Sequence, residues 1–300
     1  LKDLLLDTLQ YKIVDEESFD VFHVTRYELY VRAHQSSLVL GVFDPEQQRC
    51  VTIEKYFFAN EASENQGLSL DTLKQFWEAH PFLNAAFWKK VYFIQADFHF
   101  AFVPESYVMT TQEEQILLRM NAGIDLSETV MERKHIHGTE AKCIFAFNKQ
   151  LSKWLKHIYP KGNLKISHLA PVFCNSVLNW QKKHVPHDLA IYLTEGYLMV
   201  TKVKAGELVF ANAFHIENTN DLIYFLLFVM DELGITSNRA KIIVWGEYTE
   251  EQYETLDKFI ADVKRGPRPK DIKLSYDFGD FPLTAEFDMF STFMNTSIAQ

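Results

Sequence analysis

A meander of three short strands followed by a helix occurs twice in this chain, and that recurrence limits the possible folds more than any other feature. In the first half, Tyr27 to Arg32 alternates in strand fashion, Leu38 to Phe43 is an apolar run closed by Asp44-Pro45, and Val51 to Phe58 is a third run. Short polar turns separate them, as an antiparallel meander requires. A polar linker covers Asn60 to Gly67. Ser69 then opens a helix with Leu70, Leu73, Phe76 and Trp77 on one face. After His187 the unit returns: strands at Leu189 to Leu193, Tyr197 to Val203 and Leu208 to Phe214, with turns at Glu195-Gly196 and Ala205-Gly206. Asn218 or Thr219 caps the next helix, which stops at Gly234. Its centre, Leu222 to Met230, reads LIYFLLFVM and predicts a helix buried on all sides.

A second correspondence extends the first. Lys142 to Phe147 (KCIFAF) predicts a strand, followed by a helix from Asn148 to about Ile158 and a short strand at Leu164 to Ser167. Lys241 to Trp245 (KIIVW) predicts the matching strand, with a helix from Glu250 to about Val263 and a strand at Ile272 to Ser275 (IKLS). The first copy is longer. Its extra residues include strands near Val91–Ile94 and Phe98–Val103 and a helix near Glu113–Met120. Duplication with an insertion in copy one accounts for this pattern. A helix from about Leu169 to Lys183 connects the copies and ends at Pro186.

Composition removes several classes of function. Gly contributes 11 of 300 residues, about half the usual 7%. No two glycines lie closer than Gly196 and Gly206, which excludes GxGxxG and GxxxxGK phosphate loops. Acidic residues outnumber basic ones, 40 to 30, for a net charge of −10, and this field opposes nucleic acid and anionic membrane. A membrane span needs about 20 apolar residues. The run from Leu222 to Met230 is far shorter, and the three leucines between Asp3 and Asp7 are too few for a signal-peptide core. A start at Leu1 rather than Met leaves room for a removed leader. Cys50, Cys143 and Cys174 are widely spaced and odd in number, which argues against a disulfide framework and a thiolate zinc site. A reduced, cytoplasmic setting fits them best.

Several residues suggest chemistry, each with a plainer explanation beside it. His135-x-His137 on a strand would put two imidazoles on one face, and His184, His187 and Asp188 form a tighter group. The first pair implies no third ligand, and Pro186 interrupts the second group, which reads as a turn at the lobe boundary. Asp277-Phe278-Gly279 matches the kinase metal-binding tripeptide, but no Gly-rich loop or HRD accompanies it. Lys264 to Lys270 (KRGPRPK) is the one basic cluster and reads as a solvated loop or an anion contact. The tail carries Phe278, Phe281, Phe287, Phe290 and Phe293, with Phe287, Phe290 and Met294 at helical spacing. It predicts a closing helix packed on the second lobe, or else a partner-binding face.

Two segments carry a family resemblance: FANAFHIENTNDLIYFLLFVMDELGI, from Phe210 to Ile235, and IIVWGEYTEEQYETLDKFI, from Ile242 to Ile260. FAFVPESY, from Phe100 to Tyr107, adds to them. Over most of its length the chain resembles an uncharacterised bacterial family of the actin-like ATPase superfamily, a domain of unknown function. The order of elements is also similar to that of the pilus-assembly members, which use the fold largely to hold partners. The resemblance implies duplicated actin-like (ribonuclease H-like) α/β lobes, each a mixed five-strand sheet flanked by helices. The first lobe would cover residues 19–184, with an inserted subdomain at about 85–140, and the second lobe residues 185–300.

In that superfamily two hairpins, each with an Asp near a Gly, hold the phosphates and position the metal, and a third glycine loop makes room for adenosine. Here the first hairpin is RAHQSSL, Arg32 to Leu38, with neither Asp nor Gly. The second, around Thr194, Glu195 and Gly196, keeps a glycine but no Asp-x-Gly. The third, at Gly246 and Glu247, has one glycine where two are usual. These five residues are the candidate site, a degenerate nucleotide cleft. The resulting expectation is a non-catalytic scaffold that binds a protein partner, with no cofactor, nucleic acid or membrane insertion. The alternative is a nucleotide- or small-ligand-binding protein that still uses the cleft, with ATP and Mg²⁺ as the natural candidates.

Overall fold

The computed structural model describes residues 8–15, 17, 19–58, 69–122, 126–159, 162–282 and 284–298. The linker expected at residues 60–67 and the leucine run near the N-terminus lie outside these residues.

Apolar strands with tight turns form two sheets of the same plan. In the first, β2 (Glu28–Ala33), β3 (Ser37–Asp44) and β4 (Arg49–Phe57) are an antiparallel meander. Strands β5 (Lys90–Gln95) and β9 (Leu164–His168) then add in parallel beside β2. In the second, β10 (Leu189–Thr194), β11 (Tyr197–Lys204) and β12 (Glu207–His215) form the meander. There β13 (Lys241–Gly246) and β14 (Asp262–Arg265) add in parallel beside β10. Both sheets therefore run third, second, first, fourth, fifth in the order of their own strands. The first gains a sixth strand, β1 (Leu9–Val14), on β4.

Strand order corrects the second correspondence read from sequence. The partner of KIIVW is β5, KVYFIQ, and not KCIFAF. KCIFAF lies in β8 (Ala141–Asn148), the middle strand of a separate sheet with β6 (Phe100–Pro104) and β7 (Thr129–His135). One face of that sheet packs on α2 (Thr111–Ala122) through Leu118 and Ile144. Likewise the fifth strand of the second sheet is β14, directly after its helix, and not IKLS. IKLS instead meets the first sheet, where Lys273 bridges Arg49 and Cys50 N–H donates to the Lys273 carbonyl.

The remaining helices are α1 (Leu70–Ala79), α3 (Lys149–Ile158), α4 (Leu169–Gln181), α5 (Thr219–Glu232), α6 (Glu250–Phe259) and α7 (Phe287–Ile298). Their starts follow their caps: Ser69 accepts from Thr72 N–H, and Asn218 from Asn220 and Asp221 N–H. Thr249 and Gln252 close a capping box. The apolar tail closes mainly on the first sheet, and only its leading Phe287 packs on the second. Met289, Phe290 and Phe293 of α7 pack against Tyr30, Val39, Phe43 and Ile53 of the first sheet. Helix α5 is not buried all round either. Leu222, Leu226, Val229 and Met230 face the second core, while Tyr224 is 65% exposed and Phe228 49%.

Candidate functional site

The two hairpins expected to flank a nucleotide touch each other. Ser36, in the β2–β3 turn, donates to Glu195 Oε2 at 2.8 Å, and His34 Nδ1 lies 3.1 Å from the same oxygen. Lys55, inward-facing on β4, reaches Glu195 Oε1 at 3.3 Å and pairs with Glu247. Deeper in, the Arg32 guanidinium is 2.7 Å from Glu286, 2.8 Å from Asp288 and 3.4 Å from Glu247. Tyr192 accepts from Arg32 and donates to Asp288, both at 2.8 Å, and Tyr11 donates to Glu286. Strands β1, β2, β4 and β10, both hairpin turns, the loop at Glu247 and the start of α7 thus converge on one ion-pair network.

Its electrostatics are those of a filled junction. Four carboxylates (Glu195, Glu247, Glu286 and Asp288) face Arg32 and Lys55, with His34 at the edge. Burial works against charge on Arg32, but Asp288 and Glu286 overcome it and hold the guanidinium protonated. Burial pushes the Glu286 carboxyl up to about 8, Arg32 opposes this, and the nearby Glu247 and Asp288 add to it. Burial would also raise Glu195, yet bonds from His34, Ser37 and Ser36 hold it well below the usual carboxylate range. Glu286 has φ 54°, a left-handed backbone that costs a non-glycine residue about 1–2 kcal/mol.

The five sequence-predicted residues occupy distinct places here. Thr194 ends β10 and is buried. Gly196 has φ +71°, which the tight turn after Glu195 requires, so the turn itself accounts for the glycine. Gly246 has φ +94°, and a Cβ there would sit 1.9 Å from the Leu193 carbonyl oxygen. Its N–H donates to Thr284 O, and Glu247 N–H to Leu193 O, so both amides of the third loop already have partners. Next to them Trp245 stacks on Phe287 at 4.2 Å and donates to Pro267 O. A gap of about 10 Å³ remains between His34, Asp97, His168, Thr194 and Tyr197, room for about one water. On its wall Asp97 takes bonds from His168 and His99. These outweigh burial and keep it below the ordinary range.

Arg32, Lys55, Glu286 and Asp288 escaped the sequence reading. The signal was a charged residue at an inward position of an apolar strand or helix start: LYVRA, TIEKY, EFDMF. The other motifs resolve into structure. His135, itself exposed at the end of β7, pairs with Glu105 at 2.8 Å, and no group of three metal-ligating side chains occurs among the described residues. Asp277 accepts from Ser275 in a turn. In the basic cluster Arg265 pairs with Glu250 and lies 3.8 Å from the Tyr253 ring, while Arg268 is buried over Phe281 and Phe290.

Two sheets of matching strand order joined at their hairpins define an actin-like ATPase fold. Solved structures agree. A Bacteroides thetaiotaomicron protein with actin-like ATPase fold and unknown function matches with TM-score 0.72 at 17% identity, covering 92% of this chain and 98% of that one. The PilM–PilN type IV pilus biogenesis complex contributes a chain matched with TM-score 0.51 at 13% identity, covering 91% and 98%. Comparison with curated proteins finds no match. Residues 16–263 match the family described as Protein of unknown function (DUF3822), and the chain belongs to that family. No helix among the described residues is long and apolar enough to cross a membrane.

Proposed function

We propose that this chain is a non-catalytic actin-like protein that serves as a scaffold for a protein partner, with its former nucleotide cleft latched shut. The direct meeting of the two hairpins through Ser36, Lys55 and Glu195 carries this reading. On this reading, side chains fill the space between the hairpins that bound phosphates would need. The carboxylate excess would repel ATP, and the third-loop amides are engaged elsewhere. The chain is read as two lobes, residues 19–184 and 185–300, with the tail from Ile272 crossing back to the first sheet. Exposed apolar pairs at helical spacing support a partner-binding role: Tyr224 and Phe228 on α5, and Ile116 and Met120 on α2. The pilus protein of the same fold occurs in a complex with another chain, which is consistent with that use. A cytoplasmic setting is favoured by three free, buried cysteines.

Calorimetric titration with ATP–Mg²⁺ and a phosphate-release assay test the latched cleft. The expected result is no turnover and binding weaker than about 1 mM. Micromolar binding that disappears in Lys55→Met would restore the cleft as a ligand site and overturn the proposal. For the scaffold role, immobilised wild type should retain a specific protein from native lysate that the Tyr224→Lys, Phe228→Lys and Ile116→Lys, Met120→Lys double variants do not. Identical capture by all three would remove these faces from the reading.

A further inference from the structure

The inserted sheet leaves β7, one of its outer strands, beside β9, the outer strand of the first sheet. Between them is a cleft of about 460 Å³, lined by Glu132 and Lys134 of β7, Lys156 and Tyr159 at the end of α3, and Lys165 and Ile166 of β9. Pockets that hold small molecules span about 300–1,000 Å³. Three of these lining residues are lysines and one is a carboxylate. None of Lys134, Lys156 and Lys165 forms an ion pair with a described residue, whereas Lys12, Lys55 and Lys90 each do. In a chain with 40 acidic and 30 basic residues, this gathering of unpaired lysines runs against the average.

Glu132 and Lys134 are two residues apart on one strand, so both project to the same side. Lys134 is half-buried. Burial holds its ammonium below the ordinary lysine range, and Lys165 adds to that against the pull of Glu132. An anion placed among the three lysines would relieve both the desolvation and the like-charge repulsion. The Tyr159 hydroxyl is already used, donating to Leu83 O at 2.6 Å, so this residue offers the cleft apolar surface. Lysines act as compact point charges with three rotatable donors, so they impose no planar geometry on the anion they hold.

We propose that the cleft between β7 and β9 binds a compact multivalent anion, a small molecule bearing two or more phosphate or carboxylate groups. It is separate from the carboxylate-rich junction of the hairpins and does not depend on the scaffold reading.

The test is titration of the full chain, in metal-free buffer at low ionic strength, with inorganic pyrophosphate and separately with citrate, followed by calorimetry and thermal shift. Saturable binding by at least one probe is expected. Lys134→Gln and Lys165→Gln should each weaken it about tenfold, Lys149→Gln outside the cleft should leave it unchanged, and 0.5 M salt should weaken it. Pyrophosphate alone would assign a phosphate ligand, citrate alone a carboxylate ligand, and both a site selected by charge. Absence of saturable binding, or equal weakening by all three substitutions, would overturn the proposal. Lys165 is exposed, so its variant carries the test even if Lys134→Gln disturbs folding.

Discussion

The Arg32 guanidinium and the Tyr192 hydroxyl, each carried by the first strand of its own meander, meet at 2.8 Å in the interior. Asp288, from the helix that returns to the first sheet, accepts from both. Three segments remote in sequence therefore share one buried charge centre. Such a centre stabilises only while complete, because an ion left alone in the interior keeps its desolvation cost.

Arg32→Met should accordingly cost about 3–5 kcal/mol in urea unfolding, by stranding the Asp288 charge and taking from Glu286 its guanidinium partner. Adding Glu286→Gln and Asp288→Asn to that variant should recover much of the loss. A single variant as stable as wild type would show that the network contributes nothing to the junction.

Stability should depend on pH through Glu286, which faces Arg32, Lys55, Tyr11, Glu247 and Asp288. Its folded value is about 8 against an ordinary 4.5, so between these values the folded state holds the extra proton. Its contribution is full below pH 4.5 and is lost as pH rises towards 8. Glu54, lowered to about 2, has the opposite sign: burial opposes its charge, but His80 and Tyr56 outweigh it. Its contribution is lost as pH falls from 4.5 towards 2. The difference in melting temperature between wild type and Glu286→Gln should therefore shrink or reverse from pH 5 to pH 8.5. A constant difference would contradict the protonated carboxyl.

Gly246→Ala should destabilise more than Gly206→Ala. Both glycines have positive φ, +94° and +85°, and alanine pays about 1–2 kcal/mol for that conformation. Only at Gly246 does the added carbon also strike a backbone carbonyl, while nothing lies within 4 Å at Gly206. Equal unfolding midpoints for the two variants would contradict the close approach of Leu193.

Leu226→Ala, at a fully buried position of α5, should cost about 2–5 kcal/mol. Tyr224→Ala and Phe228→Ala on the outer face should stay within about 0.5 kcal/mol of wild type. Losses of similar size at all three would mean that the outer face is covered in solution.

The meanders were legible because their information is local. Glu195-Gly196 and Ala205-Gly206 turn the chain within two residues, and alternation on either side marks the strands. Asn218 and Ser69 announce their helices by the amides they cap. Pairing partners were not legible. KCIFAF and KVYFIQ are equally good apolar strands, and only hydrogen bonds between distant segments decide which one lies beside β2. The candidate residues Glu195 and Glu247 were found through the hairpin plan, but their cations were not. Arg32 and Lys55 look like interruptions in apolar strands until the opposite carboxylates arrive.

By itself, then, the sequence determined the repeated strand–turn–helix units, the missing Asp-Gly pairs of the hairpins and the apolar tail, since each depends on neighbours along the chain. The tertiary structure alone decided that the hairpins touch, that the tail crosses to the first sheet, and that three lysines from β7, α3 and β9 share one cleft. Those outcomes depend on which apolar faces are left to cover and which charges must be paired once the sheets are in place.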